Sequence, residues 1–154
     1  MRPAPAHLAL LLPCAWLLLG CPRRSEPPAN KATQSPLCRE IRTAPLPAGG
    51  ANGSWGVELD VEGPVLVAHQ ARFRRKKILP NGQAWSDVLE QCLTRLDPAA
   101  LHGVHLDPEA GSLHAWVDTD ADKDRWVAAL CRAVGDSAWL DRCLSTVDRA
   151  LVDD

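Results

Sequence analysis

The chain has 154 residues, of which 46% are hydrophobic and 23% are charged, and its formal net charge at pH 7 is −2. This length suits a single domain once an N-terminal signal is set aside. Residues 21–86 carry ten basic and five acidic side chains, whereas residues 87–154 carry six basic and fourteen acidic ones. The asymmetry indicates a dipolar surface without identifying what that surface meets.

The N-terminus begins with a short apolar run from Leu8 to Leu19 that follows Arg2. A helix that crosses a membrane needs about 20 apolar residues, so this run is too short to span one. It matches the hydrophobic region of a secretory signal peptide. At its end, the sequence Leu18-Leu19-Gly20-Cys21 resembles the lipobox of bacterial membrane lipoproteins.

The resemblance implies that residues 1–20 are a signal peptide, removed after Gly20, and that Cys21 carries a diacylglyceryl group and an N-acyl chain such as palmitate. Three acyl chains suffice for stable anchoring. Pro22 stands where lipoproteins of the inner membrane tend to have Asp, which favours the periplasmic face of the outer membrane. The alternative is an ordinary signal peptide and a secreted, non-lipidated protein in which Cys21 is an incidental thiol.

Four further cysteines remain in the mature chain, and an even number in an exported chain favours disulfide bonds. Their spacing does not match a zinc site. Of the three possible pairings we prefer Cys38–Cys92 with Cys131–Cys143, and the alternative is four buried, reduced thiols. These disulfide candidates are Cys38, Cys92, Cys131 and Cys143.

Residues 21–54 are rich in Pro, Ser, Ala and Gly and lack apolar periodicity, so we expect a tether in which no strand fits. A domain at 55–154 follows. Alternating apolar residues predict a strand from Trp55 to Val61 and a second strand from Val65 to Phe73. An apolar stripe then predicts a helix from Ala84 to Leu96, which ends before Pro98.

A β-hairpin is predicted for residues 103–117, with His105 opposite His114 and Gly103 opposite Trp116. Two helices should follow, with the second apolar stripe continuing to Leu151. The order is ββαββαα, which gives a small α+β domain: a mostly antiparallel four-stranded sheet with helices packed on one face.

The densest run of charge is basic, and its residues are Arg72, Arg74, Arg75, Lys76 and Lys77. It could bind lipid headgroups or an anionic envelope polymer. Phe73 is the single aromatic residue within it, so nucleic-acid binding is not expected. The alternative is a strand end that Lys and Arg protect from pairing with another sheet edge.

The predicted hairpin places His105, His114 and Trp116 together on the outer face of the sheet. An exposed tryptophan favours a binding surface. Two imidazoles across a strand pair could share a metal ion, but two ligands make a poor site. We therefore expect no metal, no cofactor and no catalytic residues.

The sequence thus predicts a lipid-anchored protein of the bacterial cell envelope whose small domain binds an envelope protein or an anionic polymer and is not an enzyme. The alternative is a small envelope enzyme or metal-binding module that uses the face around His105 and His114.

Overall fold

The computed structural model describes residues 36–47, 54–64 and 66–152. The expected signal peptide, the lipobox with Cys21 and the first part of the expected tether lie outside these residues. Within the described ranges, no helix has the length and apolar character needed to cross a membrane.

A four-stranded antiparallel sheet forms one layer of the molecule, with the strand order β1-β2-β4-β3. The strands are β1 (Ile41–Pro45), β2 (Trp55–Asp60), β3 (Val104–Leu106) and β4 (Ser112–Val117). The predicted α+β class, with a four-stranded antiparallel sheet, is confirmed.

Four α-helices form the other layer. They are α1 (Val67–Arg75), α2 (Gly82–Leu96), α3 (Asp120–Gly135) and α4 (Ser137–Thr146). Short 3₁₀ helices occupy Pro36–Glu40, Pro98–Leu101 and Arg149–Leu151. The order of strands and α-helices is therefore ββααββαα.

The core lies between the helices and one face of the sheet. Alternate residues of β2 and β4 point into it, and Trp85 of α2 and Trp126 of α3 fill its centre with no exposed surface. Because side chains alternate across a strand, the intervening residues form the opposite, outer face of the sheet. The sheet residues on the core side are Val57, Leu59, Leu113, Ala115 and Val117.

Three of the helices begin at a polar side chain that accepts a backbone N–H hydrogen bond. Asn81 accepts from Ala84 at 2.8 Å at the start of α2, and Thr119 accepts from Asp122 at 3.2 Å at the start of α3. Asp136 caps α4 in the same way. Each cap satisfies a backbone donor that the first helical turn leaves without a partner.

The prediction of a strand from Val65 to Phe73 is wrong, because this segment contains helix α1. Its buried residues are Leu66, His69 and Phe73, at spacings of three and four, whereas Val67 is 53% exposed. That spacing is the helical one, and the Ala, Gln and Arg residues between them are good helix formers.

The expectation that no strand fits between residues 22 and 54 is also wrong. Strand β1 lies there and pairs antiparallel with β2, from Ile41 opposite Leu59 to Pro45 opposite Trp55. It is an edge strand of which four residues in five are exposed, so it lacks the apolar alternation by which a half-buried strand is recognised.

The last predicted helix is too long. Helix α4 ends at Thr146, and Leu151 lies in a separate 3₁₀ helix with 65% of its surface exposed. The apolar spacing is helical through Val147, but the backbone leaves the helical region at that residue.

All four cysteines form disulfides, as predicted, but the preferred pairing is wrong. Cys38 is bonded to Cys131, and Cys92 is bonded to Cys143. Cys131 and Cys143 stand at different distances from the bend between α3 and α4. Cys143 therefore faces α2, while Cys131 faces the 3₁₀ helix at Pro36–Glu40 that carries Cys38.

Candidate functional site

A groove of about 360 Å³ lies on the outer face of the sheet, across β1, β2 and β4. Strand register builds it, because residues paired on neighbouring strands share a face and form rows across the sheet. One row is Arg42, Glu58 and His114. The next row is Ala44, Gly56, Trp116 and His105.

The first row is polar and centres on the carboxylate of Glu58. Its Oε1 atom lies 3.7 Å from an Arg42 guanidinium nitrogen and 3.9 Å from His114 Nε2. Glu58 and His114 are about one-third exposed, and Arg42 is largely exposed. One wall of the groove therefore presents a carboxylate flanked by a guanidinium and an imidazole.

The second row supplies an apolar floor at Gly56. A Cβ atom at this position would lie 3.5 Å from Leu46 Cδ2 and 3.8 Å from Trp116 Cζ3, which are ordinary contact distances. The missing side chain leaves a depression between the leucine and the half-buried indole. A glycine inside a strand often marks a place where another group approaches closely.

The predicted pairing of His105 with His114 is wrong. The register of the hairpin is shifted by two residues, so that His105 lies opposite Trp116. On its other side, His114 is paired with Glu58 of β2. Because the shift is even, both imidazoles stay on the predicted outer face. His105 is exposed and its Nε2 atom lies 3.1 Å from Asp118, so it stands beside the groove rather than in it.

The basic run lies on a helix and not at the end of a strand. Arg72, Arg74 and Arg75 belong to the last turns of α1, and Lys76 and Lys77 follow directly. Positive side chains near a helix C-terminus are favoured by the helix dipole. The interpretation of the run as a protected strand end is wrong, because no strand is there.

Two carboxylates on the helical side have a lowered pKa. The pKa of the buried Asp122 is lowered mainly by the hydrogen bond from the Thr119 hydroxyl and then by the one from His102. The positive charge of Arg125 lowers it further. The hydrogen bond from Arg72 lowers the pKa of Asp141. Both acids join elements together: Asp122 ties α3 to the chain before β3, and Asp141 ties α4 to α1.

Among the described residues, His69 is the histidine that is buried, with 6% of its surface exposed. Its Nε2–H donates to the Val134 carbonyl at 2.9 Å, and its ring packs edge-on against Trp85. Burial lowers the pKa of His69, which favours the neutral ring. This arrangement joins α1 to α2 and α3 and has no access to the groove.

Among the described residues, no group of three or more His, Cys, Asp and Glu side chains is arranged to hold a metal ion.

The predicted binding surface includes His114 and Trp116 of the groove, but the residues of the other half of the groove were not predicted. Arg42, Ala44 and Leu46 lie in or next to the strand that was not predicted, and Glu58 was seen only as a polar residue of β2. One available signal was Gly56, since a glycine within an alternating strand suggests a close approach.

Comparison of the chain with protein-family models, curated proteins and solved structures finds no match.

Proposed function

We propose that this chain is a lipid-anchored protein of the bacterial envelope, with Cys21 as the acylated residue, and that its domain binds another envelope protein through the groove on the outer face of the sheet. The partner contributes an apolar side chain that rests between Leu46 and Trp116. It also contributes a polar group that meets the row of Arg42, Glu58 and His114.

The observation that carries the binding proposal is the groove itself. An apolar floor with a polar rim is the usual composition of a protein–protein contact, and tryptophan and arginine are the residues most enriched where such contacts are strongest. Arg42 lies at the β1 end of the first row, and Trp116 lies on β4 in the second row. A Cβ at Gly56 would lie at ordinary contact distance from the side chains of Leu46 and Trp116, so the floor between them has room for a small apolar group.

Two features support the anchoring proposal. The lipobox-like sequence ending at Cys21 lies at the end of the apolar run, where a lipoprotein signal requires it. The two disulfides are typical of an exported protein, because the periplasm is oxidising and the cytosol is not.

Replacing Gly56 by valine should fill the groove and abolish partner binding while leaving the fold intact. The backbone at Gly56 has ordinary angles, and a side chain there meets its neighbours at contact distance. A glycine within a strand costs about 0.5–1 kcal/mol relative to alanine, so stability should be unchanged or higher. The measurement is quantitative mass spectrometry of proteins crosslinked to the full chain in its native membrane, together with the unfolding midpoint.

The matched control is Ala138→Leu, which also adds three carbon atoms but at an exposed position of α4. It should keep every crosslinked partner that the unmodified chain has. If Gly56→Val retains the same partners at the same yield, the groove is not the binding site.

A further inference from the structure

Four consecutive cations form one exposed patch at the end of α1, which we call the basic surface: Arg74, Arg75, Lys76 and Lys77. Within the described residues none of the four forms an ion pair with an acid, and Arg74 donates to Gln70. Arg72 differs, because it is paired with Asp141. The basic surface therefore presents four positive charges, of which Arg75 and Lys76 share with Arg72 the electrostatic influence of Asp141.

Exposed apolar side chains accompany these cations. Leu79 is 55% exposed and lines a depression of about 290 Å³ together with Arg74, Gln70 and Glu62. Leu151 is 65% exposed, and the neighbouring Arg149 donates to the Lys77 carbonyl at 2.9 Å. Cations interspersed with exposed leucines are typical of surfaces that rest on a lipid bilayer.

The basic surface and the groove belong to different layers of the domain. Helix α1 packs through Phe73 onto Trp85 of α2, with ring centroids 4.7 Å apart, and through His69 onto α3. These helices cover the inner face of the sheet, whereas the groove lies on the outer face. A flat object that contacts the basic surface therefore meets the helical layer and not the outer face of the sheet.

We propose that the basic surface docks on the anionic lipid headgroups of the bilayer that carries the anchor, and that this docking turns the groove away from the bilayer toward its partner. The proposal rests on the anchoring proposed above, because a tethered domain is held at high effective concentration next to the membrane. Each basic group near an anionic membrane strengthens binding about fivefold, so the contact is reversible by salt.

Phosphate-rich nucleic acid fits this surface less well than lipid does. Phe73 is the aromatic residue within the run, and it is fully buried. Single strands bind by stacking bases on exposed aromatic side chains as well as by charge, and that half of the interaction is missing at the basic surface.

The chain has four lysines, at positions 31, 76, 77 and 123, which allows the docked face to be measured directly. The full chain is reconstituted in vesicles of phosphatidylcholine, with or without phosphatidylglycerol, and exposed to an amine-reactive reagent. Labelling of each lysine is then followed by mass spectrometry. Phosphatidylglycerol should slow the labelling of Lys76 and Lys77 about fivefold or more, and about 1 M salt should reverse this.

Lys123 of α3 is the internal control. Its ammonium group lies over the ring of Trp55 in β2, away from the basic surface. Its labelling should not depend on the lipid. Equal labelling of Lys76 and Lys77 in the two vesicles would overturn the proposal. So would equal protection of Lys123, because it would indicate aggregation or burial of the whole domain.

The variant Arg74→Gln/Arg75→Gln should weaken the lipid contact about 25-fold and remove most of the protection. The matched control is Arg132→Gln/Arg142→Gln, which removes the same charge from residues lining a separate depression on α3 and α4. If both double variants lose protection equally, net charge rather than the basic surface is responsible. Protection of Lys76 and Lys77 by soluble heparin but not by anionic vesicles would assign the surface to a polyanion instead.

Failure of the anchor gives a different result from failure of docking. A chain without an anchor would leave phosphatidylcholine vesicles on flotation but would still be held by anionic ones, with Lys76 and Lys77 protected. That outcome contradicts the anchoring at Cys21 and supports the basic surface.

Discussion

Replacing Gly82 by alanine is expected to destabilise the domain by about 3 kcal/mol or more, a large share of the roughly 5–15 kcal/mol available to a small domain. Gly82 begins α2 where the helix meets the turn between β3 and β4. A Cβ atom there would lie 1.9 Å from the Glu109 carbonyl oxygen and 2.1 Å from that of Ser112. Both atoms belong to the backbone, so no side-chain movement relieves the overlap.

The consequence reaches the core because α2 carries Trp85 and Cys92. Gly82 also donates its backbone N–H to Ala110 at 3.0 Å, and this bond holds the helix start against the turn. Moving the helix to admit a methyl group would break that bond and withdraw the buried indole from its neighbours.

The measurement is urea unfolding of the oxidised full chain, and the control is Gly56→Ala. A Cβ at Gly56 has its nearest neighbour at 3.5 Å, so this variant should be as stable as the unmodified protein or more stable. Unfolding of Gly82→Ala within about 0.5 kcal/mol of the unmodified chain would contradict the close approach of α2 to the turn.

Removing the Cys92–Cys143 disulfide by the double substitution Cys92→Ala/Cys143→Ala should cost about 4 kcal/mol. The bond closes a segment with a sequence separation of 51 and joins α2 to α4 through two fully buried residues. Its loss enlarges the unfolded ensemble and leaves space in the core where the sulfur atoms were.

The double substitution Cys38→Ala/Cys131→Ala is the comparison. Those residues are separated by 93 positions, and their bond joins the 3₁₀ helix at Pro36–Glu40 to α3. By the same loop-closure argument its removal should cost about 4–5 kcal/mol, and it should also loosen the segment that precedes β1. Peptide mapping without reduction should show only the two pairs of the structure. A Cys38–Cys92 peptide would contradict the packing of α4 on α2.

The sequence was informative where periodicity is strong and local. Helices α2, α3 and the first turns of α4 follow long apolar stripes, and β4 alternates cleanly, so their inward residues could be named in advance. Side chains of a strand alternate between its two faces, so an error of two residues in the hairpin register left His114 and Trp116 on the outer face, as predicted.

The sequence was uninformative where an element buries little of its own surface. The edge strand β1 has four exposed residues and ends at a proline, so its identity depends on pairing with β2 rather than on its own pattern. Helix α1 is short, and its apolar positions fit both a strand and a helix until Leu66, His69 and Phe73 are seen to share one buried side.

The disulfide pairing could not be predicted from the sequence for a related reason. The rotation of α4 about its axis decides whether Cys143 faces α3 or α2, and the apolar stripe is too broad to distinguish the two. The groove could not be predicted as a whole either, because Arg42, Glu58 and His114 are far apart in the sequence. Only the strand order brings them together.

Our central proposal is that acyl chains at Cys21 tie the domain to a bilayer. Mass spectrometry of the N-terminal peptide, taken from the full-length gene product recovered from bacterial membranes, tests it most directly. We expect a chain that begins at Cys21 and carries a diacylglyceryl thioether and an N-acyl group. An N-terminal peptide with an unmodified Cys21 thiol, or an uncleaved chain beginning at Met1, would contradict it.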